Sequence, residues 1–414
     1  MRLEKFSFGT GDRFGRQGRA QLDALITAQQ RGVNIAIVWN KSYREHTIVG
    51  TSQADVRREA DAAVESRGYT GAYHVDADHI GMATVDAFLD YSDFFTIDVA
   101  DFIGERGDDR DLATFIGKYE KQCGELWIDG IAAPLAISKE KLRHVAEKYL
   151  FATKHAADIY FYIKNKKGSD QFITEVSMDE TADPQTPEEL LFILAALSDY
   201  GVPVQTIAPK FTGRFNKGVD YQGDLASFAT EFNQHICVLR NAAGSFNLPA
   251  NLKLSVHTGS DKFSIYPVIR KAMERHQAGI HLKTAGTTWL EELIGLAEAG
   301  GSALDLVKEI YSRAWVRFDE LCAPYVSVID IDKERLPVPE TFSRWHGPRV
   351  ARAIRHDRLC PEYDKNIRQL LHVGFKIAAE LGDPYLKALS DHQEIIGTNV
   401  FANLFDKHLT PLFL

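Results

Sequence analysis

Cysteine is scarce in this chain of 414 residues: Cys123, Cys237, Cys322 and Cys360 lie far apart, with no Cys-x-x-Cys pair. That excludes a disulfide framework and a thiolate zinc site, and it suits a reducing compartment. Long apolar runs are missing too. No uncharged stretch approaches the roughly 18 residues a membrane span needs, and the opening "MRLEKFSFGTGDRFG" has no apolar leader core. Positive charge is in deficit, with 48 Lys and Arg against 57 Asp and Glu and a net charge of −9. A nucleic-acid partner would need a basic face to neutralise phosphates, so none is expected. Low-complexity tracts, short repeats and Gly/Ser linkers are also absent. These absences predict a cytoplasmic, soluble protein with a small-molecule partner and no membrane attachment. A homo-oligomer is left open.

What the chain does have is a rhythm. Short β-like runs alternate with amphipathic stretches such as "RAQLDALITAQQRG" and "PEELLFILAALSDYG", several of which end in the Gly that stops a helix. The runs are Lys5–Thr10, Val33–Trp39, Ala72–Asp78, Phe94–Ala100, Phe172–Ser177, Val202–Ala208, Leu252–Thr258 and Gly279–Thr284. Strand then helix, repeated eight times, predicts an α/β fold, a (β/α)8 TIM-type barrel. An insert, 102–171, separates strands four and five. The chain after strand eight reads as helical, which predicts a barrel over 1–300 and a helical extension over 301–414 packed on it.

In such a barrel alternate strand residues point inward and the C-terminal rim carries the chemistry. The segment "AYHVDADHIG" then aims His74, Asp76 and Asp78 inward, with His79 at the start of the loop. Glu175, His257, His281 and Lys283 are inward by the same alternation, and Asp98 lies opposite Ile97 and Val99. Ionised carboxylates do not stay unpaired in an apolar interior. Imidazoles together with a carboxylate match the ligand set of Zn, Mn, Co or Ni, so a divalent metal ion is expected.

Basic groups cluster in the loops after the strands. Arg13, Lys210 and Lys262, with Ser260 at a helix start, are placed to hold a substrate anion. Lys41 and Lys217 read as solvated surface charges. The run "FSFGTGDRFG" resembles a dinucleotide loop but spells G-x-G-x-x-x-G. The following strand ends in Asn40 and Lys41, without the acid that would hold a ribose. No nicotinamide cofactor is expected.

The phrases "GTGDRFG", "EVSMDET", "APKFTGRFNKGVDYQGDL", "KLSVHTGSDKFSIYPV" and "HLKTAGTTWLEEL" resemble the tagaturonate epimerases. The resemblance runs from Gly9 to about Trp289 and more weakly through the helical tail. It implies a metal-dependent barrel enzyme of hexuronate breakdown, interconverting D-tagaturonate and D-fructuronate, with some members acting on neutral ketohexoses. The two ketouronates differ at C4, β to the ketone, whose proton the carbonyl does not acidify. Retro-aldol cleavage of C3–C4 and re-addition to the other aldehyde face would invert it. On that reading His79, Glu175, His257 and His281 hold the metal, and Asp78 and Glu175 serve as catalytic carboxylates. Lys283 polarises the aldehyde oxygen, while Arg13, Lys210, Ser260 and Lys262 bind the keto-hexuronate. The adjacent Asp–His pair at 78–79 also resembles class II aldolases, which makes a metal-dependent aldolase the alternative.

Overall fold

Runs rich in β-branched and aromatic residues pair in sequence order in the computed structural model, which describes every residue except Ala285. The strands are β1 (Phe6–Gly11), β2 (Ile35–Ser42), β3 (Tyr73–Ile80), β4 (Phe94–Asp98), β5 (Ile173–Ser177), β6 (Thr206–Ala208), β7 (Lys253–His257) and β8 (Ile280–Thr284). All neighbours are parallel, and β8 pairs with β1 to close the barrel. This is the (β/α)8 architecture. Outward residues such as Ile37, Val75, Ile97, Val176, Val256 and Leu282 are buried under the helices. Burying such side chains is the main term that holds the layers together.

Closure brings backbones close, and Gly9 shows why glycine stands in β1. A Cβ there would lie 3.0 Å from the Asn40 amide nitrogen, 3.1 Å from Lys283 Cγ and 3.3 Å from His281 Cε1. Three inward side chains fill the space a larger residue would need.

The insert after β4 holds a two-stranded antiparallel hairpin, Gly124–Leu126 with Leu135–Ile137, and the long helix Lys139–Lys167. Ser138 caps that helix by accepting from Lys141 N, and Gly168 ends it with φ 62°. The C-terminal chain forms further helices, among them Gly301–Val316, Gly347–Ile354, Lys365–Val373 and Gln393–Ala402. One apolar core runs through the barrel helices into these. The Trp289 indole donates to the Leu371 carbonyl at 2.8 Å. A buried ionic knot adds to this: Asp261, in the loop after β7, takes Arg368 Nη2 at 2.6 Å, His356 Nδ1 at 3.1 Å and His408 Nε2 at 3.1 Å. Among the described residues no helix is long and apolar enough to cross a membrane.

Candidate active site

A bulge builds the site. Up to Ala77, β3 pairs with β4 in regular register; the next pair is Ile80 with Ile97, so Asp78 and His79 together oppose a single residue. The extra residue breaks the alternation and lets both side chains reach the mouth of the barrel. His79 takes φ 51°, a left-handed conformation that non-glycine residues rarely adopt. Its Nδ1 is 2.9 Å from an Asp98 carboxylate oxygen, and its Nε2 is 3.6 Å from Asp78.

His257, at the end of β7, faces His79 with ring centroids 5.0 Å apart. Its Nδ1 lies 3.1 Å from Asp179 and its Nε2 lies 2.8 Å from Glu175. Asp179 follows β5 and accepts a hydrogen bond from the Ser177 hydroxyl. One ligand atom each from His79, Asp179 and His257 lie within 4.8 Å of one another. Each imidazole also contacts a further carboxylate, Asp98 or Glu175, the outer contact that orients metal-bound histidines. The donor set therefore fits a divalent cation.

The floor of the site is Lys283, 3% exposed. Its ammonium lies 2.6 Å from Asp78, 2.7 Å from Asp76 and 3.6 Å from Glu175, and donates to the Thr96 hydroxyl at 2.8 Å. Burial alone would lower the Lys283 pKa, but these three carboxylates hold it well above the usual lysine range. The same bookkeeping applies to the imidazoles. Burial works against their charged forms, yet Asp78 with Asp98 and Asp179 holds His79 up at about 10, and Asp179 holds His257 up at about 9. Asp76 is pushed up to about 6, by burial first and then by its carboxylate neighbours.

Two of the four expected metal ligands, His79 and His257, come together; the other two stand elsewhere. Glu175 sits below, between His257 and Lys283, with its second oxygen buried and, among the described residues, without a hydrogen-bond partner. His281 lies two residues earlier on β8 than Lys283, paired in register with Ser7 and Ser255. At about 3.3 Å per residue that is one layer deeper. There its Nδ1 contacts the Ser7 hydroxyl at 3.0 Å, its ring packs on Phe94, and burial drives it down to about 3. Asp179 was not among the expected residues. Its signal was present: the inward parity of Glu175 and Ser177 continues to 179, just past the strand end.

Of the expected anion-binding groups, Arg13 donates from Nε to Glu45 at 2.8 Å and stacks on Phe375 of the C-terminal helices at 4.1 Å. Ser260 and Lys262 are fully buried, with the ammonium 3.0 Å from the Ser260 hydroxyl. The Lys210 ammonium is tied to the Thr181 carbonyl. Lys41 is no surface charge: it is 2% exposed and donates to the Arg13 carbonyl and the Thr51 hydroxyl. His74, inward by alternation, instead bridges toward Asp93 and Glu4 at the start of β3.

The comparisons agree with the architecture. The family model described as UxaE, tagaturonate epimerase, matches residues 1–409. A tagaturonate/fructuronate epimerase of Thermotoga maritima is 30% identical over 411 residues, covering 94% of this chain and 77% of the relative. Two crystal structures of a fructuronate-tagaturonate epimerase UxaE from Cohnella laeviribosi, one in complex with a single glycerol and one native, share the fold. They have TM-scores of 0.83 and 0.80 at 23% identity, covering 100% of this chain and 82% of theirs. With its barrel, its bulged third strand and a match over nearly its whole length, the chain belongs to the UxaE tagaturonate epimerase family.

Proposed function

We propose that the protein epimerises D-tagaturonate and D-fructuronate at C4 by retro-aldol cleavage and re-addition. It would use a divalent metal ion (Zn, Mn, Co or Ni) held by His79, Asp179 and His257. The observation that carries this reading is the convergence of those three donors beside the Asp78–Lys283 pair in a chain of this family. When bound, the cation supplies a Lewis acid for the ketone oxygen.

The chain's own residues do the rest. Asp78, kept ionised by Lys283 against the cost of its burial, takes the C4 hydroxyl proton as C3–C4 breaks. Cleavage leaves a three-carbon aldehyde and a three-carbon enediolate. Lys283, an ammonium throughout, donates to the aldehyde oxygen and steadies the charge that develops there. Rotation of the aldehyde before the bond re-forms exposes its other face, and the proton returns from Asp78. Glu175 and Asp98 fix the orientation of the His257 and His79 rings. Arg13, Ser260, Lys262 and Lys210 bind the polar end of the substrate.

The test is to incubate metal-loaded protein with D-tagaturonate and follow D-fructuronate, with and without chelator. Epimer formation abolished by chelation is expected. Net release of three-carbon fragments without epimer would instead make the protein an aldolase, and turnover undiminished by chelation would remove the metal from the mechanism.

A further inference from the structure

Outside the metal-ligand group, buried donors gather where the loops after β6, β7 and β8 meet the C-terminal helix Lys365–Val373. His372, on that helix, is 1% exposed, and among the described residues neither ring nitrogen has a hydrogen-bond partner. An orphaned buried imidazole is costly and calls for a partner. Its ring lies against two rim loops. A Cβ at Gly286 would be 2.4 Å from His372 Cε1 and 2.6 Å from Nε2, and Gly286 N donates to the Gly259 carbonyl at 3.0 Å. A Cβ at Gly218 would be 3.4 Å from His372 Cβ, and Gly218 N donates to the Ser260 hydroxyl at 2.9 Å. That hydroxyl also meets the Lys262 ammonium. His372, Ser260 and Lys262 therefore meet at one junction, with Lys217 next to Gly218 at its edge.

Among the described residues Lys217 and Lys262 have no contacting carboxylate. Asp261 is committed to Arg368, His356 and His408, and Glu45 is committed to Arg13. Among the described residues Lys262 has only the Ser260 hydroxyl and the Asp261 carbonyl, and Arg13 Nη1 is buried without a partner. Lys217, half-buried rather than solvated, hangs over the Tyr325 ring at 5.5 Å, and the Gln369 side chain holds its carbonyl at 2.9 Å. Burial, then Arg13, Lys217, Arg368 and Lys262, keep His372 well below the ordinary histidine range, a field that an anion would relieve. Ser260 and Lys262 lie on the loop that begins at His257, the end of β7.

Resting on the epimerase reading, we infer that this junction is the pocket for the substrate's terminal carboxylate. The C-terminal helix supplies His372 as an N–H donor, and Lys217 and Lys262 supply the charge. The barrel loops alone would leave the pocket incomplete; the helical extension makes the enzyme select an acid sugar over a neutral one.

Equilibrium dialysis of metal-loaded protein with D-tagaturonate and with neutral D-tagatose tests this. Charge-assisted hydrogen bonds of this kind are strong enough that Lys217→Met and His372→Gln should each lower the tagaturonate-to-tagatose affinity ratio about tenfold or more. A ratio unchanged in both variants overturns the pocket, as does wild-type protein with no preference for the acid. Should His372→Gln fail to fold, Lys217→Met, on a partly exposed loop, decides alone. The ratio is a binding quantity, read on total bound hexuronate whether or not the two epimers equilibrate. Absence of epimerisation would therefore refute the proposed reaction and leave the pocket standing, whereas an unchanged ratio in a turning-over enzyme would refute the pocket only.

Discussion

Lys283 places one ammonium among Asp76, Asp78 and Glu175, so three buried carboxylates share a single lysine. Removing one partner of a buried ionic cluster leaves the others desolvated and unpaired, at about 3–5 kcal/mol. Lys283→Met is expected to lower the unfolding free energy by about that amount, measured by urea denaturation, as well as abolishing turnover; a loss within experimental error would mean the charges are solvated. Much of this cluster was legible, because strand alternation assigns Asp76, Glu175, His257 and Lys283 to the interior. Depth was not legible: alternation gives the face of His281 but not its layer. The bulge was hidden as well. No glycine marks it, and only the register shift at Ala77/Ile80 explains how the neighbours Asp78 and His79 both reach the mouth.

At the level of elements, the helix Leu225–Ser245 docks through a buried histidine. His235 Nε2 contacts the Gln185 carbonyl at 3.0 Å, the ring packs on Phe211, and burial lowers its pKa to about 4. The unfolded imidazole binds a proton below about 6.5, while the folded one does so only near 4. Between those values the unfolded state binds more protons, so stability falls as pH falls. The loss from this group should reach about 2 kcal/mol between about pH 7.5 and about pH 5. The fall in unfolding free energy between the two pH values should be larger in the wild type than in His235→Gln by about that amount; equal falls would remove His235 as a contributor. All eight strands could be read from the rhythm of the sequence, but their ends shifted. The run from Val202 pairs only over Thr206–Ala208, and β2 extends to Ser42. The hairpin Gly124–Leu126 with Leu135–Ile137 escaped notice because its three-residue strands are too short to show a period.

At the scale of the molecule, the helical tail is part of the site's surroundings rather than an appendage. Phe375 covers Arg13, His372 touches the rim glycines, and Arg368 neutralises Asp261. Its helicity was legible; its contacts were not, because Asp261 and Arg368 are 107 residues apart and nothing local pairs them. The same holds for Asp179 and His257, which the parallel pairing of β5, β6 and β7 brings to one rim.

The proposed reaction needs a cation shared by His79, Asp179 and His257, and elemental analysis of purified protein reads it most directly. Wild-type protein should carry about one divalent ion per chain. Asp179→Asn and His257→Ala should lose it, while His281→Ala, a layer deeper, should keep it. Full occupancy in Asp179→Asn, or loss of the ion in a folded His281→Ala, would contradict the assignment.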